Sequence, residues 1–202
     1  MSTATEAVAS GPAAAIRRVA VIGGGVMGNG IAQAFATSGF DVDLVDVKPE
    51  FVERALGNIT KSLDRVAKKQ GWVPEQAGQV ARRIHGGTSL DAVSGCQIAI
   101  EAVSEDMALK RQVFQQLDRV APPATLLASN TSSISITAIG AVTGRPDRVI
   151  GMHFMNPVPV MPLVEIIRGL ATSDATYAIT EDLSKRLGKT PIEVNDYPGF
   201  VS

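Results

Sequence analysis

The apolar run Val19-Ala20-Val21-Ile22 stops at a cluster of glycines, and helix-like residues follow at once. This junction restricts the possible folds more than any other stretch. The glycines read Gly23-x-Gly25-x-x-Gly28, with Gly24, Val26 and Met27 between them. That is the spacing of a strand-to-helix turn lying under a dinucleotide. The first glycine permits the tight turn, the second lets a pyrophosphate approach the backbone, and the third lets the helix pack on the strand. The helix start then offers unpaired N–H groups and its positive dipole end to the phosphates. Alone the spacing is weak, because 19 glycines are spread over 202 residues. The plain alternative is a glycine-rich turn beside a solvated acid. The neighbouring residues favour the first reading. Ile31, Ala32, Ala34 and Phe35 continue as an amphipathic helix ending near Ser38-Gly39, and Phe40 to Asp46 alternates like a strand. Asp46 falls 18 residues beyond Gly28, where an acid accepts hydrogen bonds from adenosine ribose hydroxyls. Such an acid repels a 2′-phosphate, so NAD is expected ahead of NADP, with Lys48 a partial offset.

The rest of the chain repeats the alternation. Pro49 opens a helix in which Phe51, Val52, Ala55, Leu56, Ile59, Leu63 and Val66 recur at helical spacing. A short helix is expected over 73–84, then a turn-rich stretch with a short strand near Gly86. Strands are expected at 97–103, 125–129, 149–154, 163–167 and 191–194, with helices at 105–120, 134–141 and 172–187. The prediction is an α/β fold, a doubly wound Rossmann-type mostly parallel sheet with helices on both faces. An apolar share of 45% with only 4% aromatics suits it, since a sheet buried on both faces is filled by Val, Ile, Leu and Ala. A net charge of −1 gives no field for nucleic acid or an anionic membrane. No apolar run is long enough for a membrane span. The single cysteine, Cys96, rules out an internal disulfide, fits a reducing cytoplasmic setting and reads as a core residue. Residues 1–15 are small, polar and aperiodic, without a signal-peptide pattern, and are expected to be a disordered leader; the domain is expected over 16–202.

Ligands of such sheets bind beyond the carboxyl ends of the strands, so the polar stretches there are the candidates. Four stand out: the glycine turn with Asp46; Glu105 with Lys110; Ser129-Asn130-Thr131-Ser132-Ser133; and His153-Phe154-Met155-Asn156-Pro157, followed by Glu165. A turn rich in proline (Pro157, Pro159, Pro162) brings the strand of Glu165 back beside that of His153. A histidine with a carboxylate partner is a general base whose tautomer is fixed and whose imidazolium is stabilised. Ser132 and Asn156 are placed to hold a reacting oxygen. One cysteine and two separated histidines, His85 and His153, do not make a usual zinc site, so no metal is expected. His85 reads as a surface residue.

These blocks together resemble the short-chain L-3-hydroxyacyl-CoA dehydrogenases, including the 3-hydroxybutyryl-CoA dehydrogenases. The resemblance rests on Gly23 to Gly28, Glu101-Ala102-Val103-Ser104-Glu105 with Lys110, Ser129 to Ser133, Gly151 to Met161, and Asp196-Tyr197-Pro198-Gly199-Phe200-Val201. It runs from about Arg17 to Ser202. It implies that His153 is the base taking the 3-hydroxyl proton and Glu165 its partner. It also implies that Ser132 and Asn156 lie near the substrate oxygen and the nicotinamide, and that Asp46, Glu105 and Lys110 contact the cofactor. Ser62 and Lys69, with Ser132, match contacts to the coenzyme A substrate, which gives the basic helix end Lys61, Arg65, Lys68 and Lys69 a role beyond that of a solvated face. The implied partner is an acyl-CoA in fatty acid β-oxidation. In one respect the sequence departs: the family pattern continues past Val201 into an Asn-Arg pair and a helical domain that closes the cleft and makes most of a homodimer interface. The expectation is therefore a cofactor domain, weakly active or inactive alone. Two rivals remain at this point, a non-catalytic NAD-binding module and a dehydrogenase of a 3-hydroxy acid without coenzyme A.

Overall fold

The structure, a computed structural model, describes residues 11–197. One sheet of eight strands runs through it: β1 (Arg18–Ile22), β2 (Asp41–Val45), β3 (Ile84–Gly87), β4 (Ile98–Glu101), β5 (Leu126–Ser129), β6 (Val149–Phe154), β7 (Leu163–Arg168) and β8 (Thr190–Asn195). The spatial order is β3-β2-β1-β4-β5-β6-β7-β8. Strands β1 to β6 pair in parallel; β7 runs antiparallel to β6, and β8 is parallel to β7. The helices are α1 (Val26–Thr37), α2 (Pro49–Gln70), α3 (Pro74–Arg82), α4 (Met107–Val120), α5 (Ile136–Gly140) and α6 (Asp174–Arg186).

Successive strand residues point to opposite faces, and β1 shows the consequence. Val19 and Val21 join one buried cluster with Ile31 and Phe35 of α1, Ile59 and Leu63 of α2, and Leu183 of α6. Ala20 and Ile22 join the other with Phe114 and Leu117 of α4 and Ile139 of α5. Both faces of the sheet are therefore covered, as the apolar runs require. The chain crosses from β1 outward to β2 and β3, then returns to β4 on the other side of β1. That reversal opens a crevice at the carboxyl ends of β1 and β4.

Three expectations are corrected. Residues 11–15, assigned to the leader, form turns: Ala13 is buried, its N–H donates to Asp182 at 2.9 Å, and its carbonyl accepts from Arg186. The first ten residues, and the stretch from Pro198 onward that carried part of the resemblance, lie outside the described residues. The helix expected to reach Ile84 ends at Arg82, because Ile84 is buried and pairs with Val42 as the start of edge strand β3. The helix expected from Ile134 begins at Ile136, where the Ser135 side chain caps it by accepting from the Ala138 N–H.

At Gly23 and Gly28 the junction after β1 has no room for side chains. Gly23 has φ +104°, and a Cβ on Gly28 would sit 1.7 Å from the Gly23 carbonyl oxygen. Gly57, in the middle of α2, has open space around it. The two glycines should respond with opposite signs in urea unfolding. Gly28→Ala is expected to destabilise by about 1–3 kcal/mol through overpacking. Gly57→Ala is expected to stabilise by about 1 kcal/mol through helix propensity alone.

Candidate active site

The glycine turn is braced by Asp46. Its Oδ2 accepts from the Gly24 N–H at 2.6 Å, and its Oδ1 accepts from the Val47 N–H at 2.7 Å. The carboxylate stays half-exposed at the end of β2, with lone pairs left for a further donor. The position where Gly25 would carry a Cβ is open for 4 Å, and α1 starts there without a side-chain cap. An anionic group can therefore reach the first N–H groups of α1. Beside this turn lies a largely apolar cleft of about 420 Å³, lined among others by Asp46, Phe51, Arg54, Leu109, Ala102 and Val103.

Strand reversal builds the second part. The β6–β7 register sets His153 directly opposite Glu165, so both side chains share one face of the sheet. His153 Nδ1 lies 2.8 Å from Glu165 Oε2. The carboxylate is buried and the imidazole about one-fifth exposed. An ionised Glu165 accepts from Nδ1–H, which makes Nε2 the basic nitrogen. His153 lines a cleft of about 340 Å³ with Met27, Glu105, Ser132, Met155 and Asn156.

A buried charge network supports the floor of that cleft. Glu101 ends β4 fully buried, and accepts from Lys110 Nζ at 2.6 Å, Ser129 Oγ at 2.6 Å and the Val103 N–H at 2.7 Å. Lys110 Nζ also stands 3.4 Å from Glu105. Glu105 in turn accepts from the N–H groups of Ser132 (3.0 Å) and Ser133 (3.2 Å) and from the Thr131 hydroxyl. Burial alone would raise the Glu105 pKa. The bond from Thr131, the charge of Lys110, and the bonds from Ser132 and Ser133 outweigh it and hold the pKa below the ordinary glutamate value.

Most of the expected site residues therefore meet. Gly23, Gly24, Gly25, Val26, Met27, Gly28 and Asp46 form one end, and His153, Glu165, Ser132, Asn156 and Glu105 the other. Lys110 is the exception. Its side chain is 1% exposed, so it does not line the cleft, and it acts on Glu105 from behind. Ser62 and Lys69 line a separate basic groove with Arg65, Pro157 and Pro159, between α2 and the β6–β7 loop; Ser132 is not part of it. An adjoining hollow of about 400 Å³ adds Asn58, Lys61 and Asn156. Cys96 is inert: burial first, then the nearby Asp43 carboxylate, push its thiol up to about 12.

Glu101 and Asn130 carried no role in the sequence alone. Asn130 Oδ1 accepts from the Phe154 N–H at 2.8 Å and so ties the serine-rich loop to the strand of His153. Glu101 had a signal: an acid ending an apolar strand run must find a partner when buried. Asn130 had none, because its partner lies on a distant strand. Among the described residues no helix is long and apolar enough to cross a membrane, and no group of three or more His, Cys, Asp or Glu side chains is gathered to hold a metal ion.

Comparison with known proteins adds a second line. Residues 18–197 match the family model described as the NAD binding domain of 3-hydroxyacyl-CoA dehydrogenase. A probable 3-hydroxybutyryl-CoA dehydrogenase of Bacillus subtilis (strain 168) is 52% identical over 187 residues, covering 93% of this chain and 65% of the relative. The human mitochondrial hydroxyacyl-coenzyme A dehydrogenase is 42% identical over 207 residues, covering 100% of this chain and 66% of the relative. The crystal structure of a (S)-3-hydroxybutyryl-CoA dehydrogenase from Ralstonia eutropha superposes with TM-score 0.91 at 49% identity, over 93% of this chain and 66% of that one. The chain thus spans just under two thirds of the length of these relatives.

Glu105 predicts an acid response of defined sign. Its folded pKa is depressed, so its contribution is fully present above the ordinary value of 4.5 and is lost as pH falls through the lower folded value. Urea unfolding between pH 3 and 7 should show stability falling in that acid window. Glu105→Gln should remove part of the slope and leave the part due to Asp196, whose pKa is also lowered.

Proposed function

The chain belongs to the 3-hydroxyacyl-CoA dehydrogenase family through its NAD binding domain, and we propose that it serves the reversible oxidation of a (3S)-3-hydroxyacyl-CoA to the 3-oxoacyl-CoA. The observation that carries this reading is the continuity of three clefts. Ala102 and Val103 line both the Asp46 cleft and the His153 cleft. Asn156 lines both the His153 cleft and the hollow beside α2. A dinucleotide fits along the first two, and an acyl-CoA fits from the third into the second.

The residues present suit NAD. The glycine turn and the start of α1 would hold the pyrophosphate, Asp46 the adenosine ribose, and Glu105, Ser132 and Asn156 the nicotinamide end. When bound, NAD supplies hydride transfer at C3 of the substrate. His153 takes the 3-hydroxyl proton in the oxidative direction and returns it to the developing alkoxide in the reductive one. Glu165 holds the imidazole in register and stabilises its charged form. Ser132 and Asn156 hold the reacting oxygen. Lys61, Ser62, Arg65 and Lys69 meet the phosphates of coenzyme A, which favours a coenzyme A ester over a free hydroxy acid. The His153–Glu165 pair favours catalysis over passive NAD binding. The names of the bacterial relatives make a four-carbon acyl group our choice. The buried free thiol of Cys96 suits a cytoplasmic setting.

Turnover of acetoacetyl-CoA with NADH, followed by nicotinamide absorbance, tests this directly. His153→Gln is expected to slow it at least ~100-fold while NADH affinity changes less than about threefold. Unimpaired turnover would remove His153 from the reaction. Cofactor choice has its own test. The Asp46 carboxylate should make NADP binding at least about tenfold weaker than NAD binding, and Asp46→Ala should narrow the gap. Equal affinities in the unsubstituted protein would mean that Lys48 and Arg54, both beside the Phe51 ring, cancel the acid.

A further inference from the structure

The cleft that holds His153 is lined by a single carboxylate among the described residues, that of Glu105. Its setting is unusual for an acid at a surface. Thr131, Ser132 and Ser133 all donate to it, and Lys110 stands 3.4 Å away. The lysine does not cancel it, because Lys110 is matched more closely by Glu101 at 2.6 Å. Two carboxylates share one ammonium, so the triad carries a net charge of −1. Glu101 and Lys110 are sealed from water, and Glu105 is the partly exposed end at 38%. The triad therefore presents its surplus negative charge at the cleft.

The two redox forms of the cofactor differ by one charge at the nicotinamide ring, which is cationic in NAD and neutral in NADH. Building on the proposal that this ring lies in the His153 cleft, we infer that Glu105, clamped by Lys110 and the Thr131–Ser133 loop, weights the site toward the oxidised cofactor. Glu101 and Lys110 are then positioning residues: they hold Glu105 in place and keep the surplus charge at its end. The other charged groups do not produce the same discrimination through position alone. Lys48 and Arg54 stand by the Phe51 ring at the adenosine end. Glu165, ionised beside a neutral His153, adds a second negative charge, but it is buried behind the imidazole and is the same in every Glu105 variant. A carboxylate and a cationic ring about 8 Å apart at an effective dielectric constant of about 20–40 correspond to a factor of about 5–30 in affinity. The same charge leaves NADH nearly untouched, so the redox balance of the bound couple shifts by that factor.

The test is calorimetric and needs no turnover. Dissociation constants for NAD, NADH and ADP-ribose are measured on this chain at one pH and ionic strength, for the unsubstituted protein, Glu105→Gln and Glu105→Ala. ADP-ribose lacks the nicotinamide ring and reports on the rest of the platform. In both variants Kd(NAD)/Kd(NADH) should rise about tenfold while the ADP-ribose constant stays within about twofold. Glu105→Ala guards against a strained amide facing Lys110, since Ser132 and Ser133 are exposed and their freed N–H groups can turn to water. Lys110→Met should leave the ratio unchanged or move it toward NAD. A ratio within about twofold of the starting value in a Glu105 variant that still binds ADP-ribose overturns the inference, as does a shift toward NADH in Lys110→Met. An unsubstituted chain that binds none of the three ligands instead overturns the dinucleotide reading.

Discussion

The pairing of Glu101 with Lys110 is the interaction on which the site depends. Glu101 ends the strand next to β1, and Lys110 lies in the first turn of α4, so the pair ties sheet to helix at the mouth of the central crevice. Both side chains are fully buried, and an ionised pair in such a place gains from its Coulomb attraction only if the remaining lone pairs and protons are also satisfied. Glu101 meets that condition, taking bonds from Ser129 and the Val103 N–H, and Glu105 stands 3.4 Å from the Lys110 ammonium. Among the described residues no buried side-chain nitrogen or oxygen lacks a partner. From this pair outward the order propagates through Glu105 to the serine-rich loop, and through Asn130 to the strand that carries His153.

The second determinant is the reversal between β6 and β7. A doubly wound sheet normally continues in parallel through a helix. Here the chain turns back through residues 155–162 and sets an antiparallel strand beside β6. Antiparallel pairing brings directly opposed residues onto the same face, and that is how Glu165 meets His153 without any loop having to carry either group. The turn itself forms a wall of the basic groove, and Lys189 secures it from behind by donating to the Val158 and Met161 carbonyls at 2.6 and 2.7 Å. One reversal thus supplies the proposed acid–base pair and one side of the proposed acyl-CoA path.

Charge is distributed along the path to suit its proposed occupants. The start of α1 offers N–H groups where a pyrophosphate would lie, the basic side of α2 faces the groove proposed for coenzyme A, and the one acid lining the inner cleft among the described residues stands where the nicotinamide ring is proposed to lie. None of this is visible in a net charge of −1. It depends on which charges are buried against one another and which are left facing a cleft.

The sequence by itself determined the alternation of strands and helices, the glycine turn and the acid at Asp46. Each is encoded locally, in periodicity, in missing Cβ atoms or in a short spacing. The blocks around Ser132 and His153 also marked the chemistry, because their residue types are few and their order is specific. Only the tertiary structure decided how those blocks meet. Burial of Lys110 followed from the packing of α4 against β4, which no local pattern reports. The anchoring of Glu105 and Asn130 joins residues 24 to 28 positions apart in the chain. The short strand at Ile84 was set by pairing with β2 against the local helical preference, and the ordering of Ala13 by contacts with α6, 169 residues away. In each case the deciding partner is distant in the chain, and only the fold brings it near.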